Sequence, residues 1–321
     1  MRVFVAGASG AIGRPLVAKL VAGGHEVTGM TRSEAKAEYV RRAGAQAVVV
    51  DVFDRDALHS ALAEARPEAV VHQLTSLPDR MNFRSPDLYA ATNRLRTEGT
   101  RNLLDGARAA GARRFVSQSI AFAYPSEGVL VKTEEDPILA DAAEPFGSGV
   151  RTLHEMESAV LGADGIEGLV LRYGFFYGPG THYGKGGYLV KDVRRRRLPI
   201  VGRGTGLFSF IHVDDAADAT VAAVERGAPG VYNVTDDDPA PMNEWVPALA
   251  EAAGAKRPLR VPVWLARLVA GGQMATFATQ LRGASNEKAK RELGWEPAHP
   301  SWRTGFAESL SAESTEAPSD A

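Results

Sequence analysis

Three glycines at spacing three and three, Gly7, Gly10 and Gly13, follow the apolar run Arg2-Val3-Phe4-Val5-Ala6 and precede the helix-like stretch Arg14-Pro15-Leu16-Val17-Ala18-Lys19-Leu20. Glycine at such positions allows a tight turn at positive φ, close approach of backbone to an anion, and close packing of helix on strand. A helix that starts directly behind the loop adds unbonded N–H groups and the positive end of its dipole. The chemistry this arrangement suits is pyrophosphate binding. Gly7, Ser9, Gly10, Ala11, Ile12 and Gly13 are therefore the expected cradle of a dinucleotide.

The next informative residues close the second apolar run, which reads Val27-Thr28-Gly29-Met30-Thr31-Arg32-Ser33. An acid here would accept hydrogen bonds from a ribose 2′-OH and repel a 2′-phosphate. A guanidinium and hydroxyls stand there instead, which suits the phosphate. The expected cofactor is NADP(H) in preference to NAD(H), with Arg32 as its reader; the competing reading makes Arg32 an ordinary surface residue.

The elements that must position these groups are legible as β-rich runs at Arg2 to Ala6, Glu26 to Met30, Ala47 to Asp51, Ala69 to Gln73, Arg114 to Ser119 and Gly168 to Tyr173, separated by helix-length segments. Runs such as Val48-Val49-Val50 are apolar on both faces, as a parallel sheet covered by helices requires. The expected fold is α/β, a Rossmann-like doubly wound parallel sheet with a smaller C-terminal substrate-binding lobe. The division expected is residues 1–177 for the dinucleotide domain, 178–308 mainly for the substrate lobe interleaved with late sheet elements, and 309–321 for a solvated tail. The run Arg194-Arg195-Arg196-Arg197 reads as a solvated helix end.

Composition limits the alternatives. The chain has 321 residues, a formal net charge of −2 and no cysteine. That excludes a disulfide scaffold, a thiol nucleophile and cysteine-ligated zinc, and it fits a cytoplasmic protein. Near-neutral charge gives no reason to expect nucleic acid or an anionic membrane as partner. No secretory leader is expected at Met1, and Pro262 to Leu281 is too interrupted to span a membrane. Asp214 and Asp215 come without further ligands, so no metal is expected.

These motifs, taken with His72-Gln73-Leu74-Thr75, Gly99-Thr100-Arg101-Asn102-Leu103-Leu104, Leu171-Arg172-Tyr173, Tyr177-Gly178-Pro179-Gly180, Phe210-Ile211-His212-Val213-Asp214-Asp215 and Asn286 to Trp295, carry a resemblance. The chain resembles the extended, atypical short-chain dehydrogenases/reductases of the NAD-dependent epimerase/dehydratase family, over nearly residues 1 to 307. The resemblance implies that Asp51 and Val52 contact the adenine. It puts Gln73, Leu74, Thr75 and Ser117 on the ribose and nicotinamide side, with Tyr173, Phe175 and Phe176 flanking the nicotinamide. It also implies a small-molecule substrate and the possibility of a homodimer through the two long helices after the fourth and fifth strands.

The family's acid–base set departs from its pattern here. Ser119 resembles the serine at the fifth strand's end, one residue early. Where Tyr-x-x-x-Lys is expected, the chain has Phe146 and Val150. A phenyl ring donates no proton and valine holds no ribose hydroxyl. Tyr124 and Tyr173 are the leading replacement acids, followed by Tyr183 and His154. Phe208 stands where nucleotide-sugar enzymes place a phosphate-binding arginine, and Trp264, Met274 and Phe277 accompany it. These residues suit an apolar or aromatic acceptor. The leading expectation is an NADP(H)-dependent oxidoreductase acting on a carbonyl or hydroxyl of a small, rather apolar metabolite. The alternatives are a nucleotide-sugar epimerase or dehydratase, and a non-catalytic cofactor-binding sensor.

Overall fold

The computed structural model describes residues 1–139 and 141–311. Seven strands form one parallel sheet: β1 Arg2–Ala6, β2 Glu26–Thr31, β3 Gln46–Val49, β4 Ala69–His72, β5 Arg114–Ile120, β6 Glu167–Tyr173 and β7 Gly230–Val234. Their order across the sheet is β7-β6-β5-β4-β1-β2-β3. The first six lie where the hydrophobic runs place them, to within two residues at each end.

Strand alternation decides which helix covers which face. Val3 and Val5 pack with Leu16 and Val17 of helix Gly13–Ala22 and with Ala216, Ala219 and Ala223 of helix Val213–Glu225. Phe4, Val70 and Phe115 point the other way, onto Leu58 and Leu62 of helix Arg55–Ala65 and Leu103 of helix Thr100–Ala109. Both faces are closed by helices, so the strands carry apolar residues at successive positions.

The order of strands reverses between β1 and β4, and open α/β sheets bind ligands in the crevice at such a switch. Ala6 and His72 are register partners at its floor. Short strand pairs then build a lobe over the C-terminal ends of the sheet, among them Phe175–Tyr177 with Phe210–His212 and Val131–Lys132 with Gly283–Ala284. The chain returns from this lobe to the sheet through β7. Helix Trp302–Ser311 includes the first three residues of the expected tail, and residues 312–321 lie outside the described residues.

Candidate active site

The loop after β1 explains two of its three glycines from within. Gly7 has φ +95, and a Cβ there would lie 2.9 Å from the Gln73 carbonyl carbon. A Cβ on Gly13 would meet the Gly7 oxygen at 2.1 Å, so helix and loop touch through backbone alone. Gly10 is different. It is exposed, its φ is not positive, and a Cβ there would meet only the Gly7 oxygen, at 3.4 Å. Nothing in the protein demands glycine at this position, and the space left open is on the outer side, where a phosphate group would lie. Helix Gly13–Ala22 starts at Ile12 with no side-chain cap, leaving its first N–H groups unclaimed by side chains. Ser9 and Ala11 are partly exposed on the same rim.

Around this cradle the remaining cofactor residues take distinct places. Arg32 is exposed at the end of β2 and makes no ion pair or hydrogen bond among the described residues. Thr31 and Ser33 bond each other across it, Thr31 Oγ1 to Ser33 O at 3.1 Å. Asp51 is exposed and accepts from the Phe53 N–H, while Val52 is buried and lies 3.5 Å from where a Cβ on Gly99 would sit. Leu74 is partly buried and its carbonyl accepts from Gln118 Nε2 at 2.9 Å; Thr75 is exposed. The residues present therefore fit a dinucleotide that runs from β2 across the loop to the end of β4.

The candidate acids lie elsewhere than at an open site. Gln73 Nε2 donates to the Tyr173 hydroxyl at 3.1 Å, Tyr173 lies 2.7 Å from Thr220 Oγ1, and Thr220 donates to Ala216 O. Thr220 has spent its own proton, so Tyr173 donates to it. Tyr173 is fully buried, and burial pushes its hydroxyl up to about 12 against the pull of these bonds. The Tyr124 hydroxyl donates to Asn233 Oδ1 at 2.8 Å and accepts from Arg172 Nη1 at 3.0 Å; burial raises it too. Ser119 donates to Glu157 Oε1 at 2.6 Å, and Ser117 faces the Met156 sulfur at 3.5 Å. Tyr183 is buried among Phe210, Trp245 and Phe306, and His154 is exposed on the outside of helix Phe146–Leu161. Phe146 and Val150, at the places expected for Tyr and Lys, are both buried on the same helix.

Over the strand ends the lobe packs a cluster of rings. Phe122 stacks on Phe175 at 4.1 Å and 16°, Phe175 leans on Phe208 at 5.0 Å, and Phe146 meets Phe277 edge-on at 5.2 Å. Phe176 contacts the Tyr173 ring at 5.3 Å. Trp264 takes no part, being 67% exposed on helix Val263–Ala270. Beside Leu281 of the same core is Arg282, whose Nε is buried without a partner among the described residues. Arg282 and Phe122 are residues that the sequence motifs did not single out. Arg282 lies just before strand Gly283–Ala284, and its lack of a partner is visible only once that segment is placed.

His212, Asp215 and His299 bring three possible metal-ligand atoms within 4.8 Å. The two rings stack face to face at 3.9 Å, and Asp215 already accepts from the Ala298 and His299 N–H groups and lies 3.1 Å from His299 Nδ1. Stacked rings direct their in-plane lone pairs side by side rather than at one ion, so the cluster ties helix Val213–Glu225 to the chain near Pro300.

Residues 3–235 match the NAD dependent epimerase/dehydratase family. The chain belongs to that family. Over 307 residues, 95% of this chain and 99% of the relative, it is 48% identical to a 3-diazoavenalumate denitrifying reductase from Streptomyces sp.. It is 30% identical over 318 residues, 92% of each chain, to a 4-hydroxy-2-methyl-3-oxo-4-farnesyl-3,4-dihydroquinoline-1-oxide ketoreductase from Stigmatella aurantiaca. The Thermus thermophilus UDP-glucose 4-epimerase in complex with NAD superposes with a TM-score of 0.73 at 26% identity, covering 96% of this chain and 97% of that one. This member of the family is an oxidoreductase with the fold of the NAD(P)-dependent enzymes. No helix among the described residues is long and apolar enough to cross a membrane.

Proposed function

We propose that this chain is an NADP(H)-dependent reductase that replaces the diazo group of an aromatic carboxylate by hydrogen, with release of dinitrogen. The observation that carries this reading is the pair Phe146 and Val150 at the family's acid–base positions. Reduction of a carbonyl creates an alkoxide and calls for a proton donor at the substrate oxygen. Neither residue can serve, and the hydroxyl protons of Tyr124 and Tyr173 are committed to Asn233 and Thr220.

Loss of a diazonium group makes a different demand. Reduced nicotinamide, when bound, supplies a hydride. The hydride's electron pair forms the new aryl C–H bond, and the C–N bond breaks with its pair leaving on dinitrogen. No proton is required from the protein. What remains for this chain is to hold a flat ring in register and to exclude water, a task that suits the partly exposed Phe122 and Phe175 and the buried Phe208 and Phe277 packed on them. Arg282 is the cation assigned to the carboxylate, and Arg32 the one assigned to the 2′-phosphate. The name of the Streptomyces relative, which describes a reduction with loss of nitrogen from a diazo-bearing substrate, supports the same reading.

The test is incubation of purified protein and NADPH with diazotised 3-amino-4-hydroxybenzoate, following dinitrogen by mass spectrometry. Cofactor carrying deuterium at the transferable position should leave deuterium on the ring carbon that lost nitrogen. NADPH oxidation by aromatic ketones or enones, without dinitrogen from the diazo compound, would replace this reading by carbonyl reduction. The family resemblance implies a homodimer through helices Thr100–Ala109 and Phe146–Leu161, for which sedimentation at twice the chain mass is the expected result.

A further inference from the structure

Arg96 lies in the π-helical turn Leu95–Gly99 that joins helix Ala90–Arg94 to helix Thr100–Ala109. Arg96 lines a cavity of about 170 Å³ between these helices and helix Phe146–Leu161, alongside Thr97, Thr100, Asp105, Glu155 and Met156, and pairs with neither of the two acids. A helical side chain leans toward the N-terminus of its helix, and the Arg96 guanidinium does so. Its Nη1 comes within 3.8 Å of where a Cβ on Gly149 would sit, a point also 3.7 Å from the Tyr89 ring. Tyr89, Glu157 and His72 are the titratable groups whose charge it feels or affects. Glu157 does not pair with it, because that carboxylate is held by Arg172 through Nε at 3.0 Å and Nη2 at 2.6 Å and by Ser119. Tyr89 accepts from Gln273 instead.

Arg96 therefore makes no hydrogen bond or ion pair among the described residues, although it is partly buried and desolvation draws its guanidinium down to about 10. A cation set among packed helices without an anion is unfavourable unless something absent from the chain completes it. Its surroundings say where that partner lies. Gly149 adjoins Val150, the position at which the family's lysine would hold the ribose, and His72 precedes Gln73 to Thr75, the residues on the ribose side. A guanidinium has five donors in a fixed fork and keeps its charge throughout the working pH range, which suits it to hold vicinal hydroxyls but not to pass a proton.

We propose that Arg96 replaces the lysine missing at Val150: reaching from the neighbouring helix, it holds the ribose hydroxyls on the nicotinamide side of the cofactor. This inference rests on the dinucleotide reading of the loop. It separates two jobs that one lysine performs in the family pattern. The ribose is held by Arg96, while the lowering of a tyrosine's pKa has no counterpart, in keeping with Phe146 at the tyrosine position.

The experiment is direct binding of NADPH and NADH, by calorimetry and by nicotinamide fluorescence, to the full chain and its variants, with no turnover involved. Arg96→Met should weaken both cofactors alike, by about 10–100-fold for loss of charge-assisted hydrogen bonds. Its thermal midpoint should stay level or rise, since an unpaired cation is removed. Arg96→Met/Val150→Lys should recover most of the affinity, because an ammonium again reaches the ribose. Unchanged binding by Arg96→Met overturns the inference, as does weakened binding that Val150→Lys fails to rescue or that comes with a lower thermal midpoint. A higher KM for a carboxylate substrate at unchanged cofactor affinity would give Arg96 to the substrate and overturn it too. Failure of the dinucleotide reading itself looks different: Gly10→Val would then bind both cofactors as the parent does.

Discussion

The Ser119 hydroxyl lies 2.6 Å from Glu157 Oε1, on a carboxylate that Arg172 already grips through two nitrogens. Ser119 and Arg172 are register partners across β5 and β6, and Asn233 is the partner of Arg172 across β7. One row of three strands thus carries Ser119, Arg172 and Asn233, which Glu157 of helix Phe146–Leu161 and Tyr124 of the segment after β5 join into one buried chain. Every link of this chain is a hydrogen bond, with only the Asn233 Nδ2 left without a partner among the described residues, and removing one member exposes the rest to desolvation without compensation.

Ser119→Ala should therefore act on stability before activity. The expected loss is about 1–2 kcal/mol in denaturant unfolding, the worth of one hydrogen bond to a charged acceptor that keeps its other partners. Turnover should fall less than about threefold, a change below 1 kcal/mol in the barrier. A hundredfold drop in kcat with stability intact would put the Ser119 hydroxyl on the substrate.

On the proposed reading, cofactor selectivity rests on Arg32, which has no hydrogen-bond or ion-pair partner among the described residues. Arg32→Ala should weaken NADPH by about 1.5–3 kcal/mol while leaving NADH nearly unchanged, since only the former carries a phosphate for the guanidinium to hold. Gly10→Val separates fold from binding at the same site. A Cβ at Gly10 meets no protein atom closer than 3.4 Å, so the variant should melt as the parent does yet bind neither cofactor. Equal weakening of NADPH and NADH by Arg32→Ala would remove the 2′-phosphate from its vicinity.

Arg282→Met tests the anion in the substrate. The methionine side chain is of similar length but lacks the buried Nε, which has no partner among the described residues. KM for an aromatic carboxylate should rise by about 10–100-fold with little change for the matching amide or ester, as loss of a charge-assisted bond implies. A uniform rise across acid, amide and ester would assign Arg282 to packing.

The sheet and the phosphate loop were legible because both depend on local pattern. Doubly apolar runs make buried parallel strands, and a glycine needed for backbone contact at Gly7 or Gly13 leaves its mark in the sequence whatever the rest of the chain does. The fate of the tyrosines was not legible. Tyr173 and Tyr124 have the right type and neighbourhood for acids, but their protons are taken by Thr220 and Asn233, which lie 47 and 109 residues away. The same holds for Trp264, which sits in an amphipathic stretch and faces outward. Arg96 and Arg282 were silent for the complementary reason: a free arginine is recognised by the partners it lacks, and a sequence does not list those.

His72 gives a pH signature at the floor of the crevice. The ring is 1% exposed, its Nδ1 accepts from the Leu74 N–H, and its Nε2 lies 3.1 Å from Thr100 Oγ1. Burial, helped by the Arg96 charge, holds the ring neutral down to about pH 4, against an ordinary value of 6.5. The unfolded chain takes up a proton below 6.5 that the folded chain refuses, so this contribution is complete above pH 6.5 and is lost as pH falls toward 4. Across that window it amounts to about 3 kcal/mol. His72→Asn retains an acceptor for Leu74 but cannot titrate, so it should be less stable at pH 7 and should lose correspondingly less on acidification. The measurement is the urea midpoint of both proteins at half-unit steps from pH 7 to pH 4, read as the difference in slope. Parallel curves would mean that His72 is protonated in the folded state and that the crevice floor is wetter than the described packing.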